Sequence, residues 1–261
     1  MGESQSKSEF EVSGPERDAD GALRYRVRSP YQAGEALVRI LLPEKEDATA
    51  RRVLFVLPVE PGLGTQWGDG LRTLQGLDAH NRFGLIAVAP TFSDWPWYSD
   101  HPTDPALRQE SHMLRVVVPL VERLHPHEPP RRGLLGFSKS GWGAFSLLLR
   151  NPDAFGAAVA WDAPLMWKRP AIGMERITGT QANFERYQVS RLLAERADVL
   201  RRSKRLGLFG SDGFPDDTRR AHALLDRLGI PHDYSDRLCV AHHWATGWMD
   251  TAVKSLSDML K

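Results

Sequence analysis

Short apolar runs alternate with longer amphipathic stretches through most of the chain. The runs at 53–57, 85–89, 133–137, 157–161 and 206–209 are apolar on consecutive positions, as in strands buried on both faces of a parallel sheet. Between them, helices are expected over 108–124, 141–150, 217–228 and 244–260. In the first of these, Leu114, Val117, Val118 and Val121 recur at helical spacing and form one apolar face. Pro119 falls inside it and is expected to kink it.

Two further strand-like segments, 24–28 and 36–42, precede the first apolar run. Residues 229–234 read as a turn and a last strand. Alternation of this kind predicts one α/β domain over 1–261, a mostly parallel sheet with helices on both faces. Ligands of such sheets bind beyond the carboxyl ends of the strands. The stretch 164–204 is longer than an ordinary crossover and is expected to fold as a helical excursion beside that site.

The chemistry concentrates where the run 133–137 meets the helix that follows it. Gly136-Phe137-Ser138-Lys139-Ser140-Gly141 has the strand–turn–helix context of a nucleophile elbow. Such a turn crowds the positions two before and two after the nucleophile. Gly136 and Ser140 are small enough for Ser138 to be that residue, whereas Trp142 disqualifies Ser140. Read plainly, the string is a βα turn with a serine helix cap; its position favours the elbow. Lys139 would then present its backbone N–H to a developing oxyanion. A second donor is expected from Val59 or Glu60, in the turn-rich loop after 53–57.

A serine hydroxyl needs a general base, and the base needs an orienting carboxylate. In the chain order nucleophile, acid, base, Asp212 follows the run 206–209 and is the expected acid, with Asp216 as substitute and Asp162 as a third candidate. Asp216 and Asp217 also suit the start of the next helix. The base is expected at His242 or His243, before the last helix, and adjacency leaves the two unresolved.

Composition narrows the partners. The 261 residues carry 34 Lys+Arg against 33 Asp+Glu, a net charge of +1, which argues against a nucleic-acid ligand. Cys239 is the single cysteine, so there is no internal disulfide and no cysteine-based zinc site. No apolar run approaches the roughly 20 residues of a membrane span, and the first twenty residues lack a signal-peptide core. Met1-Gly2 with Ser6 fits a myristoylation pattern short enough to arise by chance. These features describe a soluble protein, cytoplasmic or else secreted after loss of a leader, with no membrane partner.

Residues Gly136–Ala144 of the elbow, Trp97-Tyr98-Ser99-Asp100, Glu110 at the start of the long helix, and His242-His243-Trp244 together resemble the esterase D branch of the α/β-hydrolases. That branch includes feruloyl and acetyl xylan esterases, S-formylglutathione hydrolase and mycolyltransferases. The resemblance implies the α/β-hydrolase fold and a Ser-His-Asp esterase without cofactor, acting on a small-molecule or carbohydrate ester. It makes His242 the base. The family's acid lies in a Gly-x-x-Asp turn, and Gly210-Ser211-Asp212 is one residue shorter. Ser140 and Ala241 stand where the family usually has glycine.

Five tryptophans, Trp95, Trp97, Trp142, Trp161 and Trp244, fall near strand ends and the elbow. They are expected either to wall a binding site for a sugar ring or aryl group, or to pack under loops. His101 with Asp100 and Asp104 is expected to cap turns rather than hold a metal, and 201–205 to be a solvated basic helix end. The main expectation is a carboxylic ester hydrolase. The rivals are an acyltransferase with the same triad and a non-catalytic ligand-binding protein on the same fold.

Overall fold

The computed structural model describes residues 10–45, 47, 51–237 and 240–261. Met1, Gly2, Ser6 and Cys239 lie outside them. The strands are β1 (Glu11–Arg17), β2 (Leu23–Arg28), β3 (Glu35–Leu41), β4 (Arg52–Leu57), β5 (Leu85–Pro90), β6 (Arg132–Phe137), β7 (Ala157–Trp161), β8 (Leu206–Phe209) and β9 (His232–Ser235). They form one sheet in the order β1-β2-β3-β5-β4-β6-β7-β8-β9. β1, β2, β3 and β5 pair antiparallel in succession, and β5, β4, β6, β7, β8 and β9 run parallel.

The helices are α1 (Gly70–Gly76), α2 (Ala79–Phe83), α3 (Gln109–His112), α4 (Val118–Leu124), α5 (Lys139–Arg150), α6 (Met174–Thr178), α7 (Gln181–Tyr187), α8 (Val189–Glu195), α9 (Ala197–Leu200), α10 (Pro215–Arg227) and α11 (Met249–Met259). Strand residues alternate between two cores. Val53, Phe55 and Leu57 of β4 join α4, α5, α8 and α10 on one face. Leu54 and Val56 join α1, α2 and α11 on the other. The consecutive apolar positions of β4, β6 and β7 therefore follow from burial on both sides.

Three expectations need revision. β1 is exposed at every position and has no apolar pattern to read. The long helix does contain a distortion at Pro119, but as a π turn over Met113–Val117, where the Val118 N–H donates to the Met113 carbonyl. The wider turn precedes the residue that has no N–H to give. The last helix begins at Met249 rather than at 244, because Gly247 takes the left-handed φ of 89° and breaks it. Residues 164–204 contain α6 to α9. No helix among the described residues is long and apolar enough to cross a membrane.

Candidate active site

The turn between β6 and α5 holds Ser138 at φ 53°, ψ −126°, a backbone state that a residue with a Cβ adopts only under strain. The surroundings enforce it. A Cβ on Gly136 would lie 2.1 Å from the Ser140 carbonyl oxygen, and one on Gly141 would lie 2.7 Å from the Ala163 methyl. The Ser138 N–H donates to the Trp161 carbonyl at 2.9 Å, tying the turn to the neighbouring strand. Ser140, in place of glycine, has a use of its own. Its hydroxyl accepts from the Phe137 N–H and donates to the Phe137 carbonyl, both at 2.9 Å, and so fastens the elbow internally. The Lys139 N–H occupies the first turn of α5, where no intrahelical partner exists.

His242 lies in the irregular segment between β9 and α11. Its Nδ1 is 2.6 Å from Oδ2 of Asp162. The ring packs against Phe137 at 4.4 Å between centroids and stacks on Trp161 at 5.9 Å. These two side chains belong to the residues just before Ser138 and Asp162. His243 turns elsewhere: a Cβ on Gly68 would meet its ring at 2.7 Å, and its Nδ1 accepts the Ala245 N–H. The structure thus separates two histidines that spacing alone leaves equivalent, and the one facing Asp162 is His242.

The carboxylate facing His242 is Asp162, at the carboxyl end of β7, and not Asp212. Asp162 is fully buried. It accepts the N–H groups of Phe214 at 2.8 Å, Gly213 at 3.0 Å and Ser211 at 3.4 Å. Burial pushes its carboxyl pKa up, but the His242 hydrogen bond and the Phe214 and Gly213 amides outweigh this and leave it below the usual value. Asp212 is exposed. The 210–214 turn wraps around Asp162 and contributes backbone donors where a side chain was expected. A Cβ on Gly213 would sit 2.4 Å from His242 Nδ1 and 2.5 Å from Asp162 Oδ2, so this turn must carry glycine there. Asp216 pairs with Arg219 in the first turn of α10 and Asp217 accepts the Met166 N–H. The legible signal is an aspartate directly after a doubly buried strand; the carboxylate that meets His242 is this one and not that of the following turn.

The loop after β4 is held from the loop after the neighbouring strand β5. Tyr98, itself at φ 57°, donates from its hydroxyl to the Pro58 carbonyl at 2.6 Å, next to Val59 and Glu60. The Glu60 carboxylate is folded into its own loop, accepting the Gln66 N–H at 3.0 Å and the Trp67 N–H at 3.4 Å. Glu110 is a tie: it pairs with Arg150, accepts from Asn151 and receives the Tyr187 hydroxyl.

The aromatic wall is smaller than expected. Trp97, Trp142, Trp161 and Trp244 are at most 1% exposed, whereas Trp95 is 39% exposed. The first four pack the core, as in the Trp161–Trp248 stack at 4.5 Å. Trp67, not singled out from sequence, is exposed and meets His242 edge-on at 5.7 Å. His101 accepts the Thr103 and Asp104 N–H groups, and Asp104 accepts that of Ala106, so both cap turns. The basic run is not simply solvated: Arg201 and Lys204 pair with Asp198 and Asp233, and Arg205 donates to carbonyls of Pro152 and Gly156. Among the described residues, His222, Asp226 and His232 come close enough to share a cation. They lie at the amino-terminal ends of the strands, where His232 pairs with Leu206, away from the elbow.

An elbow, a histidine and a buried carboxylate at the carboxyl edge of a mostly parallel sheet define the α/β-hydrolase class. Residues 34–228 match the family described as "Putative esterase", and the chain belongs to that family. It is an ester-hydrolysing enzyme. Solved structures agree in fold. S-formylglutathione hydrolase of Agrobacterium tumefaciens is 18% identical, with a TM-score of 0.69 over 94% of this chain and 98% of that one. A ferulic acid esterase is 18% identical, with 0.69 over 97% and 99%. Fluorophosphonate-binding serine hydrolase F of Staphylococcus aureus is 17% identical, with 0.72 over 92% and 98%. Comparison with curated proteins finds no match.

Proposed function

We propose that the chain hydrolyses a carboxylic ester through an acyl-enzyme on Ser138, with His242 as base and Asp162 as its orienting acid. The observation that carries this is the 2.6 Å bond from His242 to the buried Asp162, beside a serine in the strained elbow conformation. With its Nδ1–H donated to Asp162, His242 keeps Nε2 free to take the Ser138 proton. Ser138 Oγ attacks the acyl carbon, and the carbonyl π pair moves to oxygen, facing the N–H groups of Lys139 and of Val59 or Glu60. The C–O bond to the alcohol breaks, and the proton on His242 goes to the leaving oxygen. Water then attacks the acyl-enzyme, giving its proton to His242, and Ser138 leaves with that proton.

Substrate is a small-molecule or carbohydrate ester, and water rather than a second alcohol is the acceptor. The test is a set of single variants assayed on a chromogenic ester. Ser138→Ala is expected to abolish labelling by a fluorophosphonate and lower kcat by several orders of magnitude. Asp162→Asn is expected to cost about ten-thousand-fold, whereas Asp212→Ala, at an exposed position, is expected to stay within about twofold of wild type. Wild-type turnover in Asp162→Asn with loss in Asp212→Ala would overturn the assignment.

A further inference from the structure

The residue after the nucleophile contributes more than its peptide N–H. The Lys139 side chain is only 8% exposed. Its ammonium lies 3.8 Å from the centroid of the Trp95 ring and 5.9 Å from that of Trp97. Among the described residues it makes no hydrogen bond or ion pair. Glu60 is the charged group that acts on it, but its oxygens are already engaged by the Gln66 and Trp67 amides. Burial pushes the Lys139 pKa down to about 8 against the pull of Glu60, so it is largely charged at neutral pH.

A largely buried cation without a direct ion pair is costly, and this one is held by the attraction of aromatic faces and by Glu60 at longer range. Its surroundings place it at the substrate's side of the sheet. Glu60 belongs to the loop after β4, Trp95 and Trp97 to the loop after β5, and Lys139 to the turn after β6, all at the carboxyl edge. Trp95 reaches solvent above it.

We propose that Lys139, floored by Trp95 and Trp97, forms an anion subsite that selects ester substrates carrying a carboxylate. The inference rests on the esterase reading and names its substrate class. One ammonium suits a single negative charge; a phosphate dianion calls for the multiple donors of an arginine fork or a backbone nest. The arriving carboxylate supplies the direct ion pair that Lys139 does not make among the described residues.

The experiment compares two substrates that differ in one charge, 4-nitrophenyl hydrogen adipate and its methyl ester, on wild type, Lys139→Met and Lys139→Arg. Wild type is expected to prefer the anionic ester in kcat/KM. That preference is expected to fall by about tenfold or more in Lys139→Met and to persist in Lys139→Arg. It is also expected to decline in wild type as pH rises through about 8, where the ammonium loses its proton. Binding of the monomethyl adipate anion to Ser138→Ala, followed by tryptophan fluorescence, tests the subsite without turnover. Equal preference in wild type and Lys139→Met, together with equal binding by Ser138→Ala with and without Lys139→Met, would overturn the proposal. If wild type hydrolyses neither ester, the esterase reading falls, and the binding comparison still decides the subsite.

Discussion

Ser138 and Asp162 are non-glycine residues with positive φ, 53° and 46°, at the ends of adjacent strands. Each conformation costs on the order of 1–3 kcal/mol. The cost is accepted because the sharp turn aims the side chain out of the sheet while the backbone stays in the ladder. Ser138→Gly removes both the nucleophile and the strain, whereas Ser138→Ala removes only the nucleophile. The two variants are expected to be equally inactive, yet the glycine variant should be more stable than the alanine one by about 1 kcal/mol. Paired denaturant unfolding curves check this. The same scale explains which site residues could be read in advance. Ser138 was legible because glycine and a small residue flank it at fixed offsets. Asp162 was weighed but ranked below Asp212, because what distinguishes them is three amides from a turn some 50 residues away in sequence.

At the scale of elements, the apolar runs identify five of the nine strands to within a residue or two, since burial on both faces leaves few polar positions. β1 escaped because an exposed edge strand has no such constraint. The start of α11 escaped because Trp244 and Trp248 continue an apolar spacing through an irregular segment whose aromatics pack under the elbow. The tryptophans show the same limit: apolar residues at strand ends read alike whether they line a cleft or fill the layer below it, and four of the five are buried. One element contact governs the loop after β4. Gly143 of α5 leaves room for the Tyr98 ring, and a Cβ there would lie 2.1 Å from it. Gly143→Ala is expected to displace Tyr98 and release Pro58, costing about 1–3 kcal/mol in stability and lowering kcat. Unfolding curves and ester assays on the same preparation check both effects.

Across the whole molecule, the three side chains of the proposed triad are held by unequal means. Ser138 and Asp162 end β6 and β7 in the middle of the nine-stranded sheet, with layers of helix on both sides. His242 ends no strand. Its segment is fastened by the Ser211 hydroxyl to Val240, by the Trp244 N–H to the Trp67 carbonyl, and by aromatic packing. Segments held by few contacts open at lower free energy than core strands. Catalysis and fold are therefore expected to part company under mild stress. In rising urea, hydrolysis should fade while the far-ultraviolet signal of the sheet and helices is still intact, and amide exchange should be fast around 240–246 and slow through β6 and β7. The enzyme would then have a switch-off point set by a single carrier segment rather than by its melting, and tightening that segment alone would extend its working range.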